Sequence, residues 1–142
     1  MTQHHASGNF DVQMKPQTAP DAAPDAKLTP TPTPGTTLGC LRLDKRYHGE
    51  LQATAHGQML SAVSATPGSA GYVAIEHVSG TLQGREGSFV LQHSGVMTRG
   101  DRQLAITVVP DSGTGALTGL EGRLDIRVTE GKHFYEFDYS LP

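Results

Sequence analysis

Cysteine is almost missing from this chain. Cys40 stands alone among 142 residues, so no disulfide can close within it, and a reducing, cytoplasmic setting is expected. A cationic surplus is missing as well: 11 Lys and Arg face 14 Asp and Glu, a net charge of −3. No basic face follows, so neither nucleic acid nor an anionic membrane is expected as a partner. Apolar runs are only a few residues long, whereas about 20 are needed to span a bilayer as a helix. The stretch Met1 to Phe10 has no apolar segment of the kind a secretory leader carries.

Chemical signatures are equally sparse. There is no G-x-G-x-x-G after a strand, no Walker sequence, no G-x-S-x-G and no H-E-x-x-H. A single cysteine excludes cysteine–histidine zinc spacing. The seven histidines (4, 5, 48, 56, 77, 93 and 133) include no His-x-His pair of the kind a strand would offer a metal. His4 and His5 read as part of a solvated tail. No metal site and no cofactor are expected.

What the chain does have is proline in one place and alternation elsewhere. Six of the nine prolines lie between Pro16 and Pro34. Residues 16–36 therefore read as a Pro-rich loop insert, disordered or extended, in an otherwise single domain covering 1–142. Before it, Phe10, Val12 and Met14 alternate with Asn9, Asp11 and Gln13, which is the period of a strand. After it, Leu41, Leu43, Lys45 and Tyr47 alternate with Arg42, Asp44, Arg46 and His48, and Leu51, Ala53 and Ala55 with Gln52, Thr54 and His56. Further strand runs cover 58–66, 70–79, 88–98, 102–109, 123–129 and 132–141, with turn signals at Gly49, Gly57, Pro67-Gly68, Gly100-Asp101, Asp111 to Gly113 and Glu130-Gly131. No window carries a sustained helical stripe. Glu130-Gly131 is predicted to be a tight hairpin. An all-β fold follows, a small antiparallel barrel or sandwich.

One segment recurs. Gly80, Leu82, Gly84, Glu86, Gly87, Phe89 and Leu91 return as Gly115, Leu117, Gly119, Glu121, Gly122, Leu124 and Ile126, at a constant offset of 35. It reads as a short strand, a glycine corner and a long strand, the sharp bend that a small closed barrel needs.

Several blocks resemble a family of small, uncharacterised bacterial proteins. They are Leu43 to Gly49 (LDKRYHG), Gly68 to Glu76 (GSAGYVAIE), Ser88 to His93 (SFVLQH), Val109 to Gly115 (VPDSGTG) and Gly131 to Tyr139 (GKHFYEFDY). The resemblance covers 6–15 and 39–142. That family is grouped with the allene oxide cyclase-like barrels, which include the plant dirigent proteins. The corner running from Ser112 to Gly122 is similar to the glycine-rich strand corner of those barrels. The resemblance implies an antiparallel barrel of about eight strands and a homo-oligomer. It carries over no catalytic residue, because no block matches the cyclase site.

The candidate chemistry sits on strands. Tyr72, Ala74 and Glu76 share one face of their strand, and Val73, Ile75 and His77 the other. If the first face looks into the lumen, Glu76 is an inward carboxylate suited to acid–base work. The valine–isoleucine face is the more core-like, however, and that reading turns Glu76 out to solvent. His93 shares an apolar face with Phe89, Leu91 and Met97. It is either a satisfied core residue or the polar group of an apolar pocket, where it would be an acid–base candidate. Tyr135, Phe137 and Tyr139 form an aromatic stripe fit for a pocket wall, a core or a subunit interface. Asp44 and His48 lie on the face opposite Lys45, so no triad follows from that cluster. Cys40 reads as a small buried hydrophobe.

The leading expectation is a barrel that binds a small, mostly apolar molecule in its interior, with Tyr72, Phe89, Met97, Tyr135, Phe137 and Tyr139 against the ligand. The alternatives are a cofactor-free isomerase or cyclase using Glu76 or His93, and a structural barrel with a filled core.

Overall fold

The computed structural model describes residues 2–16 and 35–142. Eight strands, β1 (Thr2–Pro16), β2 (Thr37–Gly49), β3 (Leu51–Val63), β4 (Ala70–Leu82), β5 (Arg85–Thr98), β6 (Asp101–Val108), β7 (Glu121–Thr129) and β8 (Lys132–Leu141), follow one another around the sheet. Each pairs antiparallel with the next, and β8 returns to β1, so the barrel is closed. Closure pairs the strand edges except along the β6–β7 seam, where only Thr107 and Arg123 are partnered, and so limits templating of other chains. Most of the Pro-rich insert, residues 17–34, lies outside the described residues.

Hairpins set the register. Gln83-Gly84, Arg99-Gly100 and Glu130-Gly131 each connect two strands with both residues at positive φ. That is the requirement of the turn whose twist matches the flanking strands, and glycine at its second position meets it without strain.

Four local readings of the sequence are corrected. Gly57 is no turn: β3 runs straight through it, because a Cβ there would collide with the Ile75 carbonyl of β4. The missing side chain brings two strands close instead of bending one back. His4 and His5 belong to β1 and not to a tail, and His4 stacks on Tyr139 at 5.0 Å. The repeat is local in sequence and only partly so in structure. Gly84 and Gly119 share positive φ, and Leu82 and Leu117 are both buried, but the short strand of the first copy is replaced in the second by a 3-10 turn, Gly115–Leu117. Cys40 is half-buried, not core.

The largest correction concerns β4. Val73 and Ile75 are 52% and 51% exposed, while Ala74, Glu76 and Val78 are buried. The apolar-looking face is the outer one. The reason lies on other strands. Phe10, Tyr47, Phe89, Tyr135 and Phe137 fill the lumen from β1, β2, β5 and β8. Facing them along the middle of the barrel, β3 and β4 offer mostly small groups, Ala53, Ala55 and Ala74 with Val78, plus the specific groups described below. Each fully buried large apolar side chain contributes on the order of 1.5–3 kcal/mol, so the aromatic side decides the packing and the alanines accommodate it.

The two ends of the barrel differ. Leu51, Leu82, Leu117, Leu120 and Leu141 close one end. The rings of Phe89 and Phe137 stack 5.7 Å apart above them, and Tyr47 meets Tyr135 edge-on at 5.5 Å. At the other end lie Met59, Tyr72, Met97 and Leu104, only partly buried.

Candidate functional site

Between the aromatic core and the open end, three strands bring ionisable side chains together. Lys45 and Tyr47 come from β2, Glu76 from β4 and His93 from β5. Lys45 and Glu76 sit two strands apart, roughly 10 Å across the sheet. They meet over β3 because their cross-strand neighbours there are Ala55 and Gly57. Larger residues at those two positions would stand between them.

Glu76 is 0% exposed. Its carboxylate accepts from Lys45 Nζ at 3.0 Å, from the Tyr47 hydroxyl, and from His93 Nε2 at 2.8 Å. Lys45 is 8% and His93 2% exposed. Among the described residues no buried side-chain polar atom is without a partner. Burial pushes the Glu76 carboxyl up, but the His93 hydrogen bond, the Lys45 ammonium and the Tyr47 hydroxyl together hold it below the usual carboxylate range. Tyr47 moves the opposite way: burial and then the neighbouring Glu76 charge push its phenol well up. The cluster is therefore a carboxylate–ammonium pair with a phenol that stays protonated. Lys45 also lies over the rings of Phe10 and Tyr47, at 5.0 and 5.8 Å, which adds cation–π attraction in a buried setting.

His93 links this cluster to the outside. Nε2 faces the carboxylate; in the tautomer that donates to it, Nδ1 carries the lone pair. Nδ1 lies 3.5 Å from the Tyr72 hydroxyl. The Tyr72 ring rests on Gly95, its cross-strand partner on β5, where any Cβ would run into the ring edge. Burial raises the Tyr72 phenol; the Arg102 charge opposes that rise and the Glu76 charge adds to it.

Above Tyr72 the barrel opens into a cavity of about 250 Å³. Met59, Val63, Tyr72, Gly95, Met97 and Leu104 line it, with Ser61, Gln103 and Arg102 among the polar contributors. Among the described residues no acidic side chain borders it. A larger hollow, about 490 Å³, lies around Arg46, Gln52, Thr54 and Ser79 on the outer surface. It is walled mostly by outward polar side chains, so size alone does not locate the site.

The residues singled out from sequence fall into three places. Tyr72 and Met97 line the cavity. Glu76 and His93 stand directly behind Tyr72, and Glu76 points inward, contrary to the solvated reading. Phe89, Tyr135, Phe137 and Tyr139 are packed in the core. Tyr135 anchors the backbone there, accepting from the Leu51 amide at 2.9 Å and donating to the His48 carbonyl at 2.8 Å. Tyr139 donates to the Gln83 amide oxygen. Lys45, Tyr47 and Arg102 were not among the sequence candidates. Lys45 was detectable, since it sits in the inward row Leu41, Leu43, Lys45, Tyr47, and a lysine in such a row must find a counter-charge. Arg102 gave no such sign. No group of three or more His, Cys, Asp and Glu among the described residues could hold a metal ion. No helix there is long and apolar enough to cross a membrane.

Fold and site define a class: closed, eight-stranded antiparallel barrels with an aromatic core, an end that is open among the described residues and a buried ion cluster beneath it. Residues 6–139 match a family described as protein of unknown function (DUF3224), and the chain belongs to that family. A crystal structure of a DUF3224 protein of unknown function from Shewanella oneidensis MR-1 is similar to it, with a TM-score of 0.88 and 48% sequence identity over 99% of each chain. No curated protein matches the sequence.

Proposed function

We propose that this protein binds a small, mostly apolar molecule at the open end of its barrel. The observation that carries the reading is the cavity above Tyr72, whose walls are mostly apolar, with Tyr72, Ser61, Arg102 and Gln103 as its polar-bearing residues. Ligand sites have this composition: mostly apolar lining with a few placed polar groups. At about 250 Å³ the cavity suits a molecule the size of a substituted ring or a short branched chain, not a long lipid tail. Below it the lumen is filled, so the site is the mouth and not the whole interior.

The glycine-rich corner from Ser112 to Gly122 supports a kinship with the allene oxide cyclase-like barrels at the level of architecture. The lone cysteine supports a reducing, cytoplasmic setting. Self-association is supported by the outer faces of β3 and β4, where Leu60, Val73 and Ile75 lie exposed and no outward side chain is an Asp, Glu, Lys or Arg.

Thermal denaturation against a panel of small aromatic and short-chain carbonyl compounds and alcohols tests the ligand reading. A ligand at 100 times its Kd stabilises the folded state by about 2.7 kcal/mol, a rise of several degrees in Tm. A Leu104→Arg variant, which fills the cavity, should lose that rise. Silence across the panel in the unmodified protein, or a rise that survives Leu104→Arg, would overturn the reading.

A further inference from the structure

The cavity explains why an apolar molecule would enter. It does not explain why Glu76, His93 and Tyr72 stand in line behind it. A core that only needed filling would hold apolar side chains there at no electrostatic cost.

We propose that the Tyr72 hydroxyl is the catalytic end of an acid–base relay through His93 to Glu76, acting on small, mostly apolar carbonyl compounds held in the mouth cavity. The proposal rests on the ligand reading above and assigns chemistry to it.

The geometry supports the direction of the relay. Lys45 and Tyr47 hold Glu76 as a carboxylate. That carboxylate orients His93 through Nε2 at 2.8 Å, and the tautomer that donates to it presents Nδ1 as the acceptor. The base faces the Tyr72 hydroxyl at 3.5 Å, a separation of the kind that shortens when a bound molecule completes the site. Of the three, Tyr72 alone borders the cavity. Carboxylate, imidazole and hydroxyl thus stand in the order that activates a hydroxyl in unrelated hydrolases, with a phenol at the end. Burial keeps the phenol neutral at rest, so charge develops on it only as reaction proceeds. Arg102 borders the same cavity, and its charge favours the ionised form.

The step balances without any co-reactant. The hydroxyl proton of Tyr72 passes to His93 Nδ1 while the Tyr72 oxygen takes a proton from the carbon beside the substrate carbonyl. The electron pair of that C–H bond moves to the carbonyl oxygen, which becomes an enolate facing Arg102. The imidazolium keeps its other N–H on the Glu76 carboxylate. Return of a proton to a different carbon restores the relay and leaves an isomer. Glu76 and His93 are positioning and proton-holding residues in this scheme; neither reaches the substrate.

The test uses two reagents that report on the Tyr72 oxygen. N-acetylimidazole is small and reads the activation of the hydroxyl. Its acyl carbon bonds to the Tyr72 oxygen, the C–N bond breaks, and imidazole leaves with the proton relayed by His93. Phenylmethanesulfonyl fluoride carries an apolar ring and reads the cavity: its sulfur bonds to the Tyr72 oxygen, the S–F bond breaks, and fluoride leaves as His93 takes the phenol proton. Peptide mapping by mass spectrometry gives the rate at Tyr72. With N-acetylimidazole at pH 7 we expect a rate about 100-fold above that of free N-acetyltyrosinamide, the low end of what a positioned base supplies. His93→Gln keeps an N–H donor for Glu76 but has no base, and should remove that advantage. A Tyr72 rate no greater than that of the free amide overturns the proposal, and the wild-type protein alone suffices to show it. So does an advantage that persists in a folded His93→Gln. Phenylmethanesulfonyl fluoride separates the two readings: a labelling rate that saturates with concentration supports the cavity. A strictly linear rate beside fast, His93-dependent acetylation would sink the ligand reading and leave the relay standing.

Discussion

Replacing Glu76 by glutamine removes one charge and almost no volume. Glutamine can still accept from Lys45 and His93 with its oxygen in the place of Oε2, while its NH2 takes the place of Oε1 and faces the Tyr47 hydroxyl, which must turn to accept. The greater loss is electrostatic. The Lys45 ammonium, 8% exposed and 3.0 Å from the carboxylate, would remain buried with no counter-charge. Breaking a buried pair by deleting one partner costs about 3–5 kcal/mol. For a chain of this size each kcal/mol moves Tm by roughly 3–4 °C, so Glu76→Gln is expected to lower it by about 10–20 °C at neutral pH. Replacing both partners, as Lys45→Met with Glu76→Gln, removes the orphaned charge and should recover more than half of that loss. The sign of the pH dependence follows from the depressed carboxyl. A group whose folded pKa lies below its unfolded value of about 4.5 contributes its full stability above that value and loses it as pH falls through the folded one. The wild-type advantage over Glu76→Gln should therefore hold from pH 7 down to about 5 and shrink in more acidic solution. Calorimetry across that range is the assay. A drop under 2 °C, or a difference that grows as the solution becomes acidic, would refute the assignment of Glu76 as the charged centre of the cluster.

Two other outcomes follow from the packing. Gly95→Ala places a methyl group against the Tyr72 ring edge and should cost about 1–3 kcal/mol; a fully stable variant in urea titration would mean that Tyr72 does not occupy this seat. Val73→Lys and Ile75→Lys should each shift stability by no more than about 0.5 kcal/mol, while Ala74→Leu on the inward face should cost about 1–3 kcal/mol. The reverse order would restore the facing that the sequence favours.

Much of the barrel was legible because alternation and turn residues are local. Leu124, Ile126 and Val128 against Arg123, Asp125 and Arg127 define a strand without reference to anything else, and Glu130-Gly131 closes it with a hairpin that both residues' positive φ bears out. Gly57 misled because glycine marks both a turn and a close strand approach, and only the neighbouring strand distinguishes them. The N-terminal strand was underestimated because its pairing with β8 at the far end of the chain leaves no trace in its own residues, His4 and His5 among them.

The facing of β4 shows why the candidate site was only half legible. Read alone, Val73 and Ile75 are better core residues than Tyr72 and Glu76, and hydrophobicity turns the strand the wrong way. Two facts from elsewhere reverse it. Aromatic side chains from four other strands already occupy the lumen, so β4 must offer small groups such as Ala74. Lys45, committed to the inside by its position between Leu43 and Tyr47, requires an anion there. Glu76 supplies it only if Val73 and Ile75 face outward, since a one-residue change of facing exchanges the whole set. The buried pair and the exposed valine are consequences of one choice of register. The row containing Lys45 and the row containing Glu76 are each ambiguous alone; taken together, with Ala55 and Gly57 leaving space between them, they fix the face of β4 and with it the position of Tyr72 at the mouth.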